Sequence, residues 1–235
     1  MKKINYRTII RYLLISVIIF YLIFLFLDIN NKYIKLSKNL KFICIILCFF
    51  ISLLSRHNAF DLYNIKLLQI GLLLTVIADY FLLILDDYYE IGIAIFILAQ
   101  ITHSIRYATR KRSCIIKRYI KILGGIFFLY IIINFFINIP LIIALGLSYG
   151  VCLVTNVYMS ILVYKEKTFP KLNSIMVVAG MFLFLLCDIN VAIFNIIKGV
   201  YFKYNSLVYQ ISLVAMWLFY LPSQLILSLS GYKFK

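Results

Sequence analysis

The chain has 235 residues, 65% of them hydrophobic, only three prolines and a formal net charge of +16. A mean hydropathy of +1.03 and recurring apolar runs of roughly 20 residues exclude a soluble domain and imply an all-α polytopic membrane protein. We read residues 1–235 as a single integral membrane domain. The basic residues sit between apolar runs and not on a separate basic domain, so the expected partners are membrane lipids and not nucleic acid.

In chain order the apolar runs are Thr8–Leu27, Leu40–Leu54, Lys66–Leu85, Ile91–Ala108, Tyr119–Ile137, Pro140–Tyr164, Leu172–Ile197 and Ser206–Leu229. These predict eight transmembrane helices, the second of them short. Lys2, Lys3, Arg7 and Arg11 precede the first run as in a signal sequence, but the segment Asp28 to Lys32 offers no small-residue cleavage site, so the run is expected to be retained. With a cytoplasmic N-terminus, 18 of the 24 Lys and Arg residues, Lys235 and Arg110 among them, fall on inner segments, and the acidic turn Asp86, Asp87 and Glu90 falls outside. That asymmetry follows the positive-inside rule, and it places both termini in the cytoplasm. Lys32, Lys35, Lys38 and Lys41, in the first outer loop, run against it.

The third run holds one carboxylate, Asp79, eight residues after Gly71, and the seventh repeats the spacing with Gly180 and Asp188. An ionised carboxylate costs several kcal/mol or more in hydrocarbon unless it is paired, protonated or facing a cavity, so each needs a functional reason. The repeated spacing suggests two four-helix halves in the same orientation. At helical spacing, Gly71 and Thr75 share a face with Asp79, and Gly180, Phe184, Ala192 and Asn195 share one with Asp188. Phe96, Gln100, His103 and Tyr107 form one stripe on the fourth run; the sixth contributes Cys152, Asn156 and Ser160, and the eighth Gln210, Trp217 and Gln224. Asn, Gln and Thr in membrane helices commonly only join helices, each bond being worth about 0.6–2 kcal/mol.

The remaining signals concern packing. The five cysteines and two histidines show no metal-ligand spacing, so neither a metal nor a cofactor is expected. Gly146 and Gly150 form a small-xxx-small pair suited to close helix packing. Pro222 removes a backbone donor and frees the Leu218 carbonyl, predicting a kink beside Gln224.

An Asp-bearing third span followed by Gly92-Ile-Ala-Ile-Phe96, a second Asp in LFLLCDINVAIFN, and a last span with Trp217, Tyr220 and Gln224 together resemble the YhhN-like lysoplasmalogenase family of eight-span membrane proteins. The resemblance runs from about Leu36 onward. The chain departs from the usual family residues at Ala78-Asp79, at Gln100-Ile-Thr-His103 and at Lys38-Asn39. What the resemblance implies is an enzyme of a bacterial cell membrane that hydrolyses the vinyl ether of a lysophospholipid, a lysoplasmalogen, to a fatty aldehyde and a glycerophospho-alcohol. Protonation of the vinyl β-carbon gives an oxocarbenium ion that water attacks, so the site needs an acid that holds its proton near neutral pH and an anion beside it. Asp79 and Asp188 are the expected acid–base pair, and Lys38, Gln100, His103, Tyr107, Asn156, Trp217, Tyr220 and Gln224 the expected substrate-binding residues. Paired acids on parallel repeats would also suit a proton-coupled transporter or a lipid-binding or lipid-flipping protein.

Overall fold

The computed structural model describes residues 5–30, 32–108, 112–197 and 207–234. Among these are eight α-helices: α1 Tyr6–Ile29, α2 Ile34–Ser55, α3 Leu62–Asp79, α4 Tyr89–Tyr107, α5 Arg112–Phe136, α6 Leu141–Lys165, α7 Lys171–Ile196 and α8 Leu207–Leu229. Seven are long and apolar enough to cross a membrane, so the protein is an integral multi-pass membrane protein. The helix outside that set is α4, where Glu90, Gln100, His103 and Arg106 lower the mean hydropathy. Its polarity faces inward, since Gln100, His103, Ser104, Arg106 and Tyr107 are all buried. Lys2, Lys3, Arg110, Ser206 and Lys235, used above to count charges and spans, lie outside the described residues.

Element boundaries differ from the expected runs chiefly where polar residues open a helix. The second helix is not short, because Lys35, Ser37, Lys38 and Lys41 belong to its first turns. Lys41 is buried with its amine 2.7 Å from Asp28, and Lys38 pairs with Asp86. Two of the four lysines that break the charge rule are therefore neutralised by acids at the same end of the molecule. Asp61 caps α3 by accepting from the Tyr63 and Asn64 amides. After Asp79 the α-helix gives way to a π-helical turn, Tyr80–Leu85.

Antiparallel hairpins α1–α2, α3–α4 and α7–α8 make the closest pairings, with α4 against α6 and α6 against α7. One end gathers Tyr6 stacked on His57, Arg7 on the Tyr232 hydroxyl, and an Ala59–Tyr232 bridge, so the first and last helices finish at the same end. The opposite end carries the Lys38–Asp86 pair. The helix α5 lies at the periphery, with Phe128, Leu129, Phe135 and Phe136 exposed as lipid-facing residues would be.

The glycines of the paired Gly–Asp runs both sit at close approaches. A Cβ on Gly71 would meet the His103 ring at 2.9 Å, and one on Gly180 would meet Leu227 at 2.7 Å. Gly146 and Gly150 have nothing within 4 Å, so the small-xxx-small pair does not mediate packing; its face is open. Pro222 does free the Leu218 carbonyl, and the Tyr21 hydroxyl donates to it at 3.0 Å, tying α1 to α8.

Candidate functional site

Asp79 is the last residue of α3 before the π-helical turn, and its side chain is only 6% exposed. π-helical turns recur at functional sites. The Tyr220 hydroxyl, from α8, donates to Asp79 Oδ2 at 2.6 Å. Asp188 on α7 is half-buried, and the Tyr149 hydroxyl, from α6, donates to its Oδ2 at 2.5 Å. The Asp188 charge reaches Asp79, and Cys187, next to Asp188 in the chain, lies within reach of both carboxyls. Each carboxyl is thus fixed through one oxygen by a tyrosine from a different helix. No Lys, Arg or His forms an ion pair with either among the described residues.

Aromatic rings enclose this pair. Phe96 stands 5.9 Å from Tyr149 and 6.3 Å from Phe184; Phe184 stands 5.5 Å from Tyr220, and Trp217 stands 5.3 Å from Tyr220. The rings come from α4, α6, α7 and α8, so the wall exists only once those four helices have packed. Such a wall limits water and offers an apolar surface to a hydrocarbon chain.

A second network fixes α4 to α6. Asn156 Nδ2 donates to both the backbone oxygen and Oε1 of Gln100 at 2.7 Å, and Asn156 Oδ1 accepts from Ser104 Oγ at 2.6 Å. Ser104 in turn meets the Tyr119 hydroxyl of α5. Gln100 also interacts with Tyr149, which links this network to Asp188. His, Cys, Asp and Glu side chains gather nowhere in groups of three that could hold a metal among the described residues.

A sequence model of the YhhN family matches residues 33–231. The chain belongs to that family. A search of curated proteins found no match, and neither did a search of solved structures.

The residues expected to line the site in this YhhN chain divide by position. Tyr220 bonds Asp79 and Trp217 packs on Tyr220, whereas Gln100 meets Asp188's partner Tyr149 and Asn156 stands one contact further out, on Gln100. Lys38 is not beside them: it rests on Asp86 at the rim of the same end. His103 is buried against Gly71 and stacked on Tyr107, with neither ring nitrogen hydrogen-bonded. Tyr107 lies toward the opposite end of α4, about 16 Å along the helix from Phe96 at the 1.5 Å rise per residue. Gln224 is fully buried, and its amide makes no hydrogen bond. On α7 the expected stripe ends at Asp188, because Ala192 and Asn195 are exposed and the Asn195 amide bonds back to Val191.

Sequence reasoning missed Tyr149, which sits one helical turn before Cys152 and seven residues before Asn156 on the polar face of α6. That spacing was a usable signal. It also missed Lys41, whose amine lies 4.8 Å over the Trp217 ring while paired to Asp28, itself held by the Ser37 hydroxyl. Nothing in the local sequence separates Lys41 from Lys32, Lys35 and Lys38.

Proposed function

We propose that this YhhN-family protein is a membrane hydrolase that cleaves the vinyl ether of lysoplasmalogens to a fatty aldehyde and a glycerophospho-alcohol, with Asp79 and Asp188 as its acid–base pair. The observation that carries the reading is two carboxyls on different helices, each held by one tyrosine hydroxyl, with aromatic rings packed against those tyrosines. In the reaction one carboxyl, entering protonated, delivers its proton to the vinyl β-carbon, and the other steadies the oxocarbenium ion and takes a proton from the attacking water. The resulting hemiacetal collapses to aldehyde and alcohol, returning the proton. Tyr149 and Tyr220 are positioning residues that leave the second oxygen of each carboxyl for this work. Phe96, Phe184 and Trp217 would flank the alkenyl chain, and Lys38 would meet the headgroup phosphate at the rim.

The matching topology has eight spans, with α4 crossing alongside the seven apolar helices, two halves of four, both termini cytoplasmic and the acidic turn outside. The helix ends support it, because Tyr6 and Tyr232 finish together and Asp86 lies opposite.

The test is release of fatty aldehyde by the purified full chain from lysoplasmalogen, with the saturated ether analogue as control. Aldehyde from the vinyl ether alone supports the proposal. Lipid movement between leaflets without aldehyde would instead make the same carboxyls part of a transporter.

A further inference from the structure

We propose that the cavity at the Tyr107 end of α4 binds a phosphate ester carried on an apolar body, at a site separate from the acid pair. The cavity has a volume of about 680 Å³ and lies between α4, α5, α6 and the turn after α6. Ile115, Met159, Leu162 and Val163 give it an apolar wall, while Tyr107, Arg118, Lys167 and Thr168 bring polar groups to it from separate elements. Glu166 is the one acid among the described lining residues, so the basic side chains there outnumber it. Neither Arg118 nor Lys167 forms an ion pair among the described residues.

A buried hydroxyl in the lining, Tyr107, and the buried cation that precedes it in the chain bear on the ligand's charge. Arg106 is fully buried; its Nε donates to Asn64 Oδ1 at 2.9 Å and its Nη2 to Ser230 Oγ at 2.9 Å. No carboxylate pairs with it among the described residues. The guanidinium lies 5.7 Å from the Tyr107 ring and interacts with that side chain, yet neither Arg106 Nη1 nor the Tyr107 hydroxyl closes a hydrogen bond. A buried hydroxyl without an acceptor is costly, and an anion in the cavity that Tyr107 lines supplies one, beside a guanidinium that has no carboxylate partner among the described residues. Lys167 is also held at the rim with φ 52°, a backbone conformation uncommon for a side-chain-bearing residue. Donors arriving from α4, α5 and the α6–α7 turn suit the tetrahedral oxygens of a phosphate better than a planar carboxylate.

The separation from Asp79 and Asp188 follows from α4 itself. Phe96 stands at the level of the acid pair and Tyr107 about 16 Å further along the helix, more than the few bonds between a lysophospholipid's ether oxygen and its phosphate can span. One substrate molecule therefore does not reach both places.

The experiment titrates the full chain, in a neutral detergent, with dihexanoyl phosphatidylglycerol by calorimetry, alongside glycerol phosphate and decanoate. The expected result is saturable binding of the phospholipid that falls by about tenfold or more in an Arg118→Gln, Lys167→Gln double variant, the scale of a lost charge-assisted contact. Both residues are exposed, so the variant should fold, and a melting curve checks it. Tyr107→Phe, which removes only the hydroxyl, should weaken binding several-fold, and Asp79→Asn should leave it unchanged. Glycerol phosphate binding with the same sensitivity to the variants would support the site and assign it to soluble phosphate esters; its failure to bind, with the phospholipid bound, would assign it to lipid. Decanoate binding as tightly as the phospholipid, or unaltered binding in both the double variant and Tyr107→Phe, would overturn the proposal. An effect of Asp79→Asn equal to that of Tyr107→Phe would do the same, since it would merge the two sites.

Discussion

Replacing Asp79 by Asn separates a working acid from a structural one. The amide keeps the size of the side chain and an oxygen that can still accept from the Tyr220 hydroxyl, now at 2.6 Å from Oδ2. No basic side chain is paired to Asp79 among the described residues, so the substitution strands no cation. Melting temperature should therefore stay at or above that of the parent. Chemistry should not survive, because an amide neither delivers nor takes up the proton. General acid–base catalysis contributes about 10² to 10⁴ in rate, which is about 2.7 to 5.5 kcal/mol of barrier at 1.36 kcal/mol per tenfold. Tyr220→Phe is the structural contrast: it leaves a buried carboxylate oxygen without its donor and should cost about 1 to 3 kcal/mol of stability. The assay is aldehyde release coupled to an aldehyde dehydrogenase, run beside detergent-phase melting. An Asp79→Asn protein that releases aldehyde within a few-fold of the parent rate would refute the acid–base reading.

Three further outcomes are expected. Gly71→Ala and Gly180→Ala should each destabilise by about 1 to 3 kcal/mol, since the new methyl meets the His103 ring and Leu227, whereas Gly146→Ala and Gly150→Ala should be neutral or gain up to about 1 kcal/mol of helix propensity; equal melting temperatures for all four would contradict the packing described. Tyr21→Phe should cost about 0.6 to 2 kcal/mol by leaving the Leu218 carbonyl, freed by Pro222, without its donor, and thermal unfolding in detergent checks it. A cysteine placed at position 88 in a cysteine-free background should react with an impermeant maleimide from outside intact cells; reaction only after the cytoplasmic side is exposed would invert the topology.

The sequence by itself determined that the chain is a multi-pass helical membrane protein, because the length of an apolar run is set by bilayer thickness and needs no tertiary information. It also singled out Asp79 and Asp188, since a carboxylate inside an apolar run is costly wherever it packs. The α4 stripe was legible for the same reason: polar residues on one face of a span turn from lipid, and Gln100, His103 and Tyr107 are all buried. Only the tertiary structure decided which neighbours serve the acids. Tyr149 and Tyr220 reach them from α6 and α8, and no spacing within α3 or α7 specifies those contacts. Packing likewise decided the glycines. Gly146 and Gly150 carry the small-xxx-small pattern yet face open space, while Gly71 and Gly180 sit under His103 and Leu227. A glycine permits close approach, but whether another helix takes it up depends on how all eight are arranged. The burial of Lys41 and Arg106 has the same origin, for a charge near the end of a span reads alike in sequence whether it reaches water or closes on Asp28, Asn64 and Ser230.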